Sequence, residues 1–462
     1  MAGIPQLSSL PGASQTIFLD FDGDTQPVWH RTDSGQTYTN VVAGEFNIDG
    51  TPGISSTEEA AIRAIWETVA DDYSPFNVNV TTVAPTSFAD RVGLRVVMSG
   101  DTSATLKTSG GATFNTGIRP VFISNDQGAM VDTSGYAALN SYTNSEPNVV
   151  YVFAKYMSTW NTIDSEGRFR DLRAIIANTA SHEAGHAFGL EHHGNYDVGT
   201  SITTPIMGSN TQGDRTIWSS YTVDSIPVDS IARLTSLLGA RPDDYANGIG
   251  IFSSAGEFPL NYSVISGWKG TVKGVIGTTL DVDLFRLTTT TTNTYQFTVT
   301  VPQFGNLDSQ LVLYSIRPGT FGFDTLSQVS LVDPAISTSP FSGLGASLSA
   351  TLPAGKWAVG VRSHGGYGDL GNYTLTVSIP SSGLAIDPSV LAASNVMVTL
   401  VSTTTTTTSN TTTKSGGAGS GAELLLNIVQ SDAAKSAVFI TETKNDKRSR
   451  HELVDDVFAK WP

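Results

Sequence analysis

The 462-residue chain contains no cysteine. No disulfide framework can hold it together, so its folded parts must rest on packed cores. The missing thiols leave the compartment open, because many exported bacterial proteins also lack them. Basic residues are scarce: 26 Lys and Arg stand against 42 Asp and Glu, a net charge of -16. That balance argues against nucleic acid and against an anionic membrane surface as partners. It leaves carboxylates in excess, a set of groups that calcium can use. No apolar run is long enough for a transmembrane helix. The segment from Met1 to Gly12 has neither a basic n-region nor an apolar h-region, so no signal peptide is visible in this chain. Histidine is rare as well, with 7 in all, and that makes its placement informative.

Four of those 7 histidines fall in the stretch Ser181-His182-Glu183-Ala184-Gly185-His186-Ala187-Phe188-Gly189-Leu190-Glu191-His192-His193. His182 and His186 are four apart, which on a helix places both imidazoles on one face, one turn apart. Glu183 neighbours the first of them and can reach a water at the ion without binding the ion itself. Gly189 can adopt φ > 0, ending the helix and folding the chain back. His192 then arrives as a third nitrogen. Three imidazoles leave the fourth tetrahedral position open, the layout of a catalytic zinc site.

A bare H-E-x-x-H occurs by chance in many helices. The glycine and third histidine at fixed offsets make the pattern specific, and a helix carrying surface histidines is the plain alternative it disfavours. With Thr204-Pro205-Ile206-Met207-Gly208 downstream, the stretch resembles the signature of the metzincin zinc endopeptidases, H-E-x-x-H-x-x-G-x-x-H with a Met-turn. The resemblance implies zinc on His182, His186 and His192, Glu183 as general base, and Met207 as an apolar floor beneath the metal. It places the third ligand three residues beyond Gly189. In an extended segment the adjacent His193 then faces the other way. Without cysteine, the thiolate latch of some metzincin zymogens is excluded. Two positions depart from familiar patterns. Ser209 stands where some metzincins carry a tyrosine, and His193 matches no subfamily marker.

Residues 1–13 read as an N-terminal loop. Thr16 to Phe21 is rich in β-formers and reads as a strand. It runs into Asp20-Phe21-Asp22-Gly23-Asp24, whose alternating aspartates before a glycine turn suit calcium; without a closing glutamate, an acidic turn is the favoured reading. Ser56 and Glu59 form a capping box opening a helix whose buried stripe is Ile62, Ile65, Trp66, Val69 and Tyr73. Strands are expected at Val78–Val83, Val92–Met98, Gly110–Phe114 and Pro147–Phe153. The motif helix starts near Arg170 and is apolar or functional on two faces, so it lies buried mid-domain. A further helix with Ile231, Leu234 and Leu238 on one side ends at Gly239. Periodicity alone gives a mixed α/β domain. The resemblance implies an α+β metzincin catalytic domain, a twisted mixed sheet with an active-site helix, over residues 14–246.

From 249 to 380 helical periodicity disappears. Short β-runs such as Tyr295–Val301, Gln310–Tyr314 and Trp357–Val361 alternate with Gly, Pro, Asn and Asp, the signal of an antiparallel β-sandwich. Leu280-Asp281-Val282-Asp283-Leu284-Phe285-Arg286-Leu287, Leu352–Val359 and Gly366–Leu375 together resemble the bacterial pre-peptidase C-terminal domain. Asp281, Asp283 and Asp369 in these stretches are candidate calcium ligands, with ordinary turn chemistry as the favoured role. Residues 381–462 hold a threonine run from Thr403 to Thr408, a flexible Ser415–Gly421 linker and a tail expected to be weakly ordered. The expectation is a secreted, extracellular bacterial endopeptidase acting on protein or peptide substrates, with zinc and also calcium as ions. The alternative is an adhesin or binding exoprotein with a degenerate metzincin fold; the intact Glu183 counts against it.

Overall fold

The computed structural model describes residues 3–31, 36–107, 113–116, 121–123, 130–132, 134–160, 171–192, 203–208, 215–223, 226–250, 253–263, 267–319, 324–334, 344–379, 397–403, 423–427 and 435–441. Met1–Leu260 and Gly270–Ser378 form one compact unit; Asn261–Lys269 and Ile379–Pro462 form another.

The large unit begins with a five-stranded sheet. Its strands run in the order Gly135–Tyr136, Val149–Val152, Gly93–Met98, Thr16–Asp20 and Asn79–Thr81. All neighbours are parallel except the edge strand Gly135–Tyr136, which is antiparallel to Val149–Val152. Near-continuous apolar runs such as Val149–Val152 suit parallel strands covered on both faces. One face is covered by α1 (Ser56–Asp72) and α3 (Leu172–Ala187). A short α2 (Ala154–Met157) follows Val152, and α4 (Ser230–Leu238) closes this half.

Helix α1 forms for the expected reason, in a register shifted by one residue. Ser55, not Ser56, is the N-cap: its hydroxyl accepts the Glu58 N–H at 3.1 Å, and Glu58 accepts the Ser55 N–H at 3.1 Å. The run Ser55-Ser56-Thr57-Glu58-Glu59 allows both registers on pattern alone. A third bond, from Ile48 N–H to Glu58 at 2.8 Å, ties the observed one to the preceding loop. Ile62, Ile65 and Val69 are fully buried in the main core, each contributing about 1.5–3 kcal/mol. Helix α4 starts at Ser230, because Ile226–Asp229 pairs antiparallel with Ser220–Val223 before Asp229 caps the helix.

A second sheet, from Asp24–Arg31, Gln36–Ala43, Thr102–Lys107 and Thr113–Thr116, was not expected from the sequence apart from its last strand. Its core is aromatic: Trp29 and Tyr38 are buried with ring centroids 5.5 Å apart.

The second half of the large unit is a β-sandwich. One sheet contains residues 270–276, 371–378, Asn293–Thr300 and Ala346–Leu352 as successive neighbours. The other contains Val282–Thr289, Gly355–Ser363, Ser309–Pro318 and Asp324–Val332, all antiparallel. Tyr295, Phe297 and Val299 are buried at every second position, as are Tyr373, Leu375 and Val377.

The smaller unit contains an antiparallel three-stranded sheet, with Lys435–Thr441 between Met397–Thr403 and Glu423–Asn427. Most of the threonine run, the Ser415–Gly421 linker and the segment from His451 to Trp461 lie outside the described residues. Among the described residues, no helix is long and apolar enough to cross a membrane.

Candidate metal centre

Helix α3 is capped by Asp171, whose side chain accepts the Arg173 N–H. From Ile175 to Gly185 every residue is buried, which is why apolar and polar positions alternate without a solvent face. His182 and His186 project from one side of this helix. At its end the chain reverses at Gly189, with φ 87°, and Leu190 N–H bonds to Gly185 O at 2.9 Å. That reversal brings His192 back over the helix.

The three Nε2 atoms converge. His182 to His192 is 2.9 Å, His182 to His186 is 3.0 Å and His186 to His192 is 3.1 Å. Zn–N bonds near 2.0–2.1 Å in tetrahedral geometry require nitrogens about 3.3 Å apart. The triangle is close to that size. The other ring nitrogens are engaged elsewhere: Nδ1–H of His182 donates to Ile206 O and that of His186 to Leu190 O, each at 2.7 Å. These bonds fix the tautomer that leaves the Nε2 lone pairs facing one another. Three lone pairs aimed at one point repel unless a cation shares them, so the donor set fits zinc. Burial falls along the set: His182 is buried, His186 half-buried and His192 exposed.

Two glycines let other groups approach. A Cβ at Gly135, on the edge strand, would lie 2.5 Å from the Glu183 carboxylate, so glycine makes room for that side chain. Glu183 is 6% exposed. Beneath α3, a Cβ at Gly185 would lie 2.5 Å from the Met207 sulfur. Met207 is buried and belongs to the main core, and Gly208 N–H closes its turn onto Pro205 O at 2.9 Å. The same turn presents Ile206 O to His182, so the places of Met207 and His182 are set by one peptide. His193 and Ser209 lie outside the described residues.

The candidate calcium residues separate into three places. Asp20 and Asp24 both contact Arg95, Asp20 at 3.6 Å and Asp24 closer. Asp22 contributes its N–H to Asp20 at 3.0 Å. Burial pushes Asp20 up to about 6, against the opposing pull of that backbone bond and Arg95. A guanidinium thus supplies the positive charge at this acidic turn. Asp369 is buried in an ion pair with Arg215.

Asp283 has other company. One oxygen each from Asp243, Asp244 and Asp283 lie within 4.8 Å of one another. Asp283 is fully buried; one oxygen accepts the Tyr373 hydroxyl at 2.6 Å and the other has no hydrogen-bond partner. Burial pushes Asp283 up to about 8, with the neighbouring carboxylates adding to the rise. Nearby Asp281 accepts Gly277 N–H at 2.8 Å, and its other oxygen is also buried without a partner. Asp243 and Asp244, at the end of the expected catalytic domain, are not among the calcium candidates read from the sequence. The doublet was the available signal.

No family profile matches the chain, and no curated protein matches it. Among solved structures, it is similar to the pre-peptidase C-terminal domain of collagenase from Bacillus anthracis at 14% identity, covering 30% of this chain and 98% of that one, with a TM-score of 0.17. Yersinia pseudotuberculosis-derived mitogen is similar at 14% identity over 26% of this chain and 92% of its own, TM-score 0.18. PliG of Aeromonas hydrophila, a periplasmic inhibitor of g-type lysozyme, is similar at 16% identity over 27% of this chain and 99% of its own, TM-score 0.18.

Proposed function

We propose that the protein is a secreted, zinc-dependent endopeptidase of metzincin type, with a pre-peptidase C-terminal-like sandwich. The observation that carries this reading is the convergence of the His182, His186 and His192 Nε2 atoms at 2.9–3.1 Å with both helical tautomers fixed. Zinc held there would supply Lewis acidity, polarising a scissile carbonyl and acidifying a water. With zinc bound, Glu183 would serve as the proton carrier, from water to the leaving amine. The edge strand Gly135–Tyr136 borders this carboxylate, so an extended peptide can lie where Glu183 reaches it. Met207 excludes water from below.

The substrates are proteins or peptides. The adhesin alternative leaves the buried Glu183 and the fixed tautomers without a purpose. For the second ion, Asp243, Asp244 and Asp283 form the better calcium set, since a fully buried carboxylate oxygen without a donor suits a cation. Metal analysis of the purified protein, with casein or gelatin hydrolysis before and after chelation, tests the reading. One zinc per chain and chelator-sensitive hydrolysis are expected. Zinc-free protein, or hydrolysis indifferent to chelator, would overturn it.

A further inference from the structure

Helix α1 ends in two buried carboxylates, Asp71 and Asp72, each 1% exposed. An unpaired buried charge is costly, so such groups persist where they are bonded. Asp72 is bonded on three sides. Its Oδ2 accepts the Ser181 hydroxyl at 2.5 Å, its Oδ1 accepts Asn306 Nδ2 at 2.6 Å, and its backbone carbonyl accepts Trp218 Nε1 at 2.6 Å. Ser181 immediately precedes the ligand His182 on α3. Its carbonyl is held as well, accepting the Tyr73 hydroxyl at 3.0 Å. A serine inside a helix commonly bonds back to its own helix; here it is held from α1 instead. The turn of α3 bearing His182 is thus located from two sides, by the Asp72-Tyr73 pair and by Ile206 O.

The third side of this arrangement belongs to the sandwich. Asn306 lies in the loop between Asn293–Thr300 and Ser309–Pro318, and it is 2% exposed. Its N–H bonds to Asp71 at 2.8 Å, while Asn372 N–H and Nδ2 bond to Asp71 at 2.6 and 2.8 Å. Arg215, beside the Met-turn, donates to Asn306 O and pairs with Asp369.

We propose that Asp72 is a positioning residue of the metal centre, and that the sandwich, through Asn306, is a working part of that centre. Asp72 touches neither metal nor substrate. It acts by fixing Ser181 and so the depth and rotation of His182. The inference rests on the zinc reading above.

The test uses the full chain and four substitutions: Asp72→Ala, Asp72→Asn, Ser181→Ala and Asn306→Ala. Zinc affinity is measured by chelator competition, and the cobalt-substituted site is read by its visible d–d bands. Both are recorded below the apo unfolding temperature. Asp72→Ala should weaken zinc binding about 10–100-fold, the range for residues that orient ligands, and shift the cobalt bands. Ser181→Ala and Asn306→Ala should move both readouts in the same direction. Asp72→Asn should restore near-parental values, because an amide still accepts from Asn306 and can donate to the Ser181 hydroxyl. Folded Asp72→Ala and Asn306→Ala with parental affinity and spectrum would overturn the proposal. If Asp72→Ala does not fold, unchanged zinc binding in both Ser181→Ala and Asn306→Ala overturns it. A parent that binds no zinc overturns the zinc reading and this inference together; a zinc-binding parent with unaffected variants overturns only this one.

Discussion

Gly185 and Met207 fit together because one of them has no side chain: a Cβ on Gly185 would lie 2.5 Å from the Met207 sulfur. Alanine normally favours a helix over glycine by about 1 kcal/mol. Here the added methyl must push the buried Met207. Gly185→Ala is expected to destabilise by about 1–3 kcal/mol, the usual cost of overpacking. Met207→Ala should relieve that clash in the double variant. Thermal unfolding of both single variants and the pair checks the coupling; strictly additive losses would show that the two residues do not interact as described.

Glu183→Gln should retain one zinc per chain and lose hydrolysis by about 10²–10⁴-fold, because it removes the proton carrier and spares the imidazoles. Turnover of casein and metal content of the same sample are the paired measurements. Near-parental turnover would show that Glu183 is not the base.

Zinc removal should lower the unfolding temperature. A ligand at a hundred times its Kd stabilises by about 2.7 kcal/mol. Differential scanning calorimetry of chelated and reloaded protein reads this directly. Identical transitions in the two samples would speak against a bound ion in the folded state.

The buried acids at the end of α1 make stability fall as pH rises. Burial pushes Asp72 up to about 8 and Asp71 to about 6, Asp71 against the lowering effect of its bonds to Asn372 and Asn306. The folded chain therefore holds more protons than the unfolded chain between the ordinary value of 3.8 and those raised values. Their contribution is full below about 4 and is lost progressively up to about 8. Denaturant unfolding of the parent and of Asp72→Asn across this range should show a slope in the parent that the variant reduces. Parallel curves would exclude Asp72 as the source.

Calcium should stabilise the parent and not Asp283→Ala. Because burial raises Asp283 to about 8, protons compete with the ion, and the stabilisation should grow as pH rises toward that value. Unfolding temperatures with and without calcium at several pH values measure it.

What could be read from the sequence was local. The three converging histidines lie within one helix and its return turn, so fixed offsets carried their geometry. The stripe of α1 followed from periodicity, and its cap was displaced by one because adjacent serines and glutamates offer two registers. The Asp24–Ala43 hairpin was missed, since its polar faces break the β-pattern. The Asp71-Asp72 pair gave no signal either: an acidic doublet ending a helix looks like a solvated end. Asn306 and Asn372, the residues that bury it, lie 235 and 301 positions away from Asp71. No local pattern reports a partner at that distance.

That separation also has a consequence in time. A chain emerging at about 5–20 residues per second exposes His192 on the order of ten to forty seconds before Asn372 follows. Through that interval α1 has its Ser181 contact available but lacks the Asn372 donors to Asp71. The bonds from Asn372 can form only once most of the sandwich has been made. During synthesis, the histidine cluster is thus complete in sequence well before it is complete in structure.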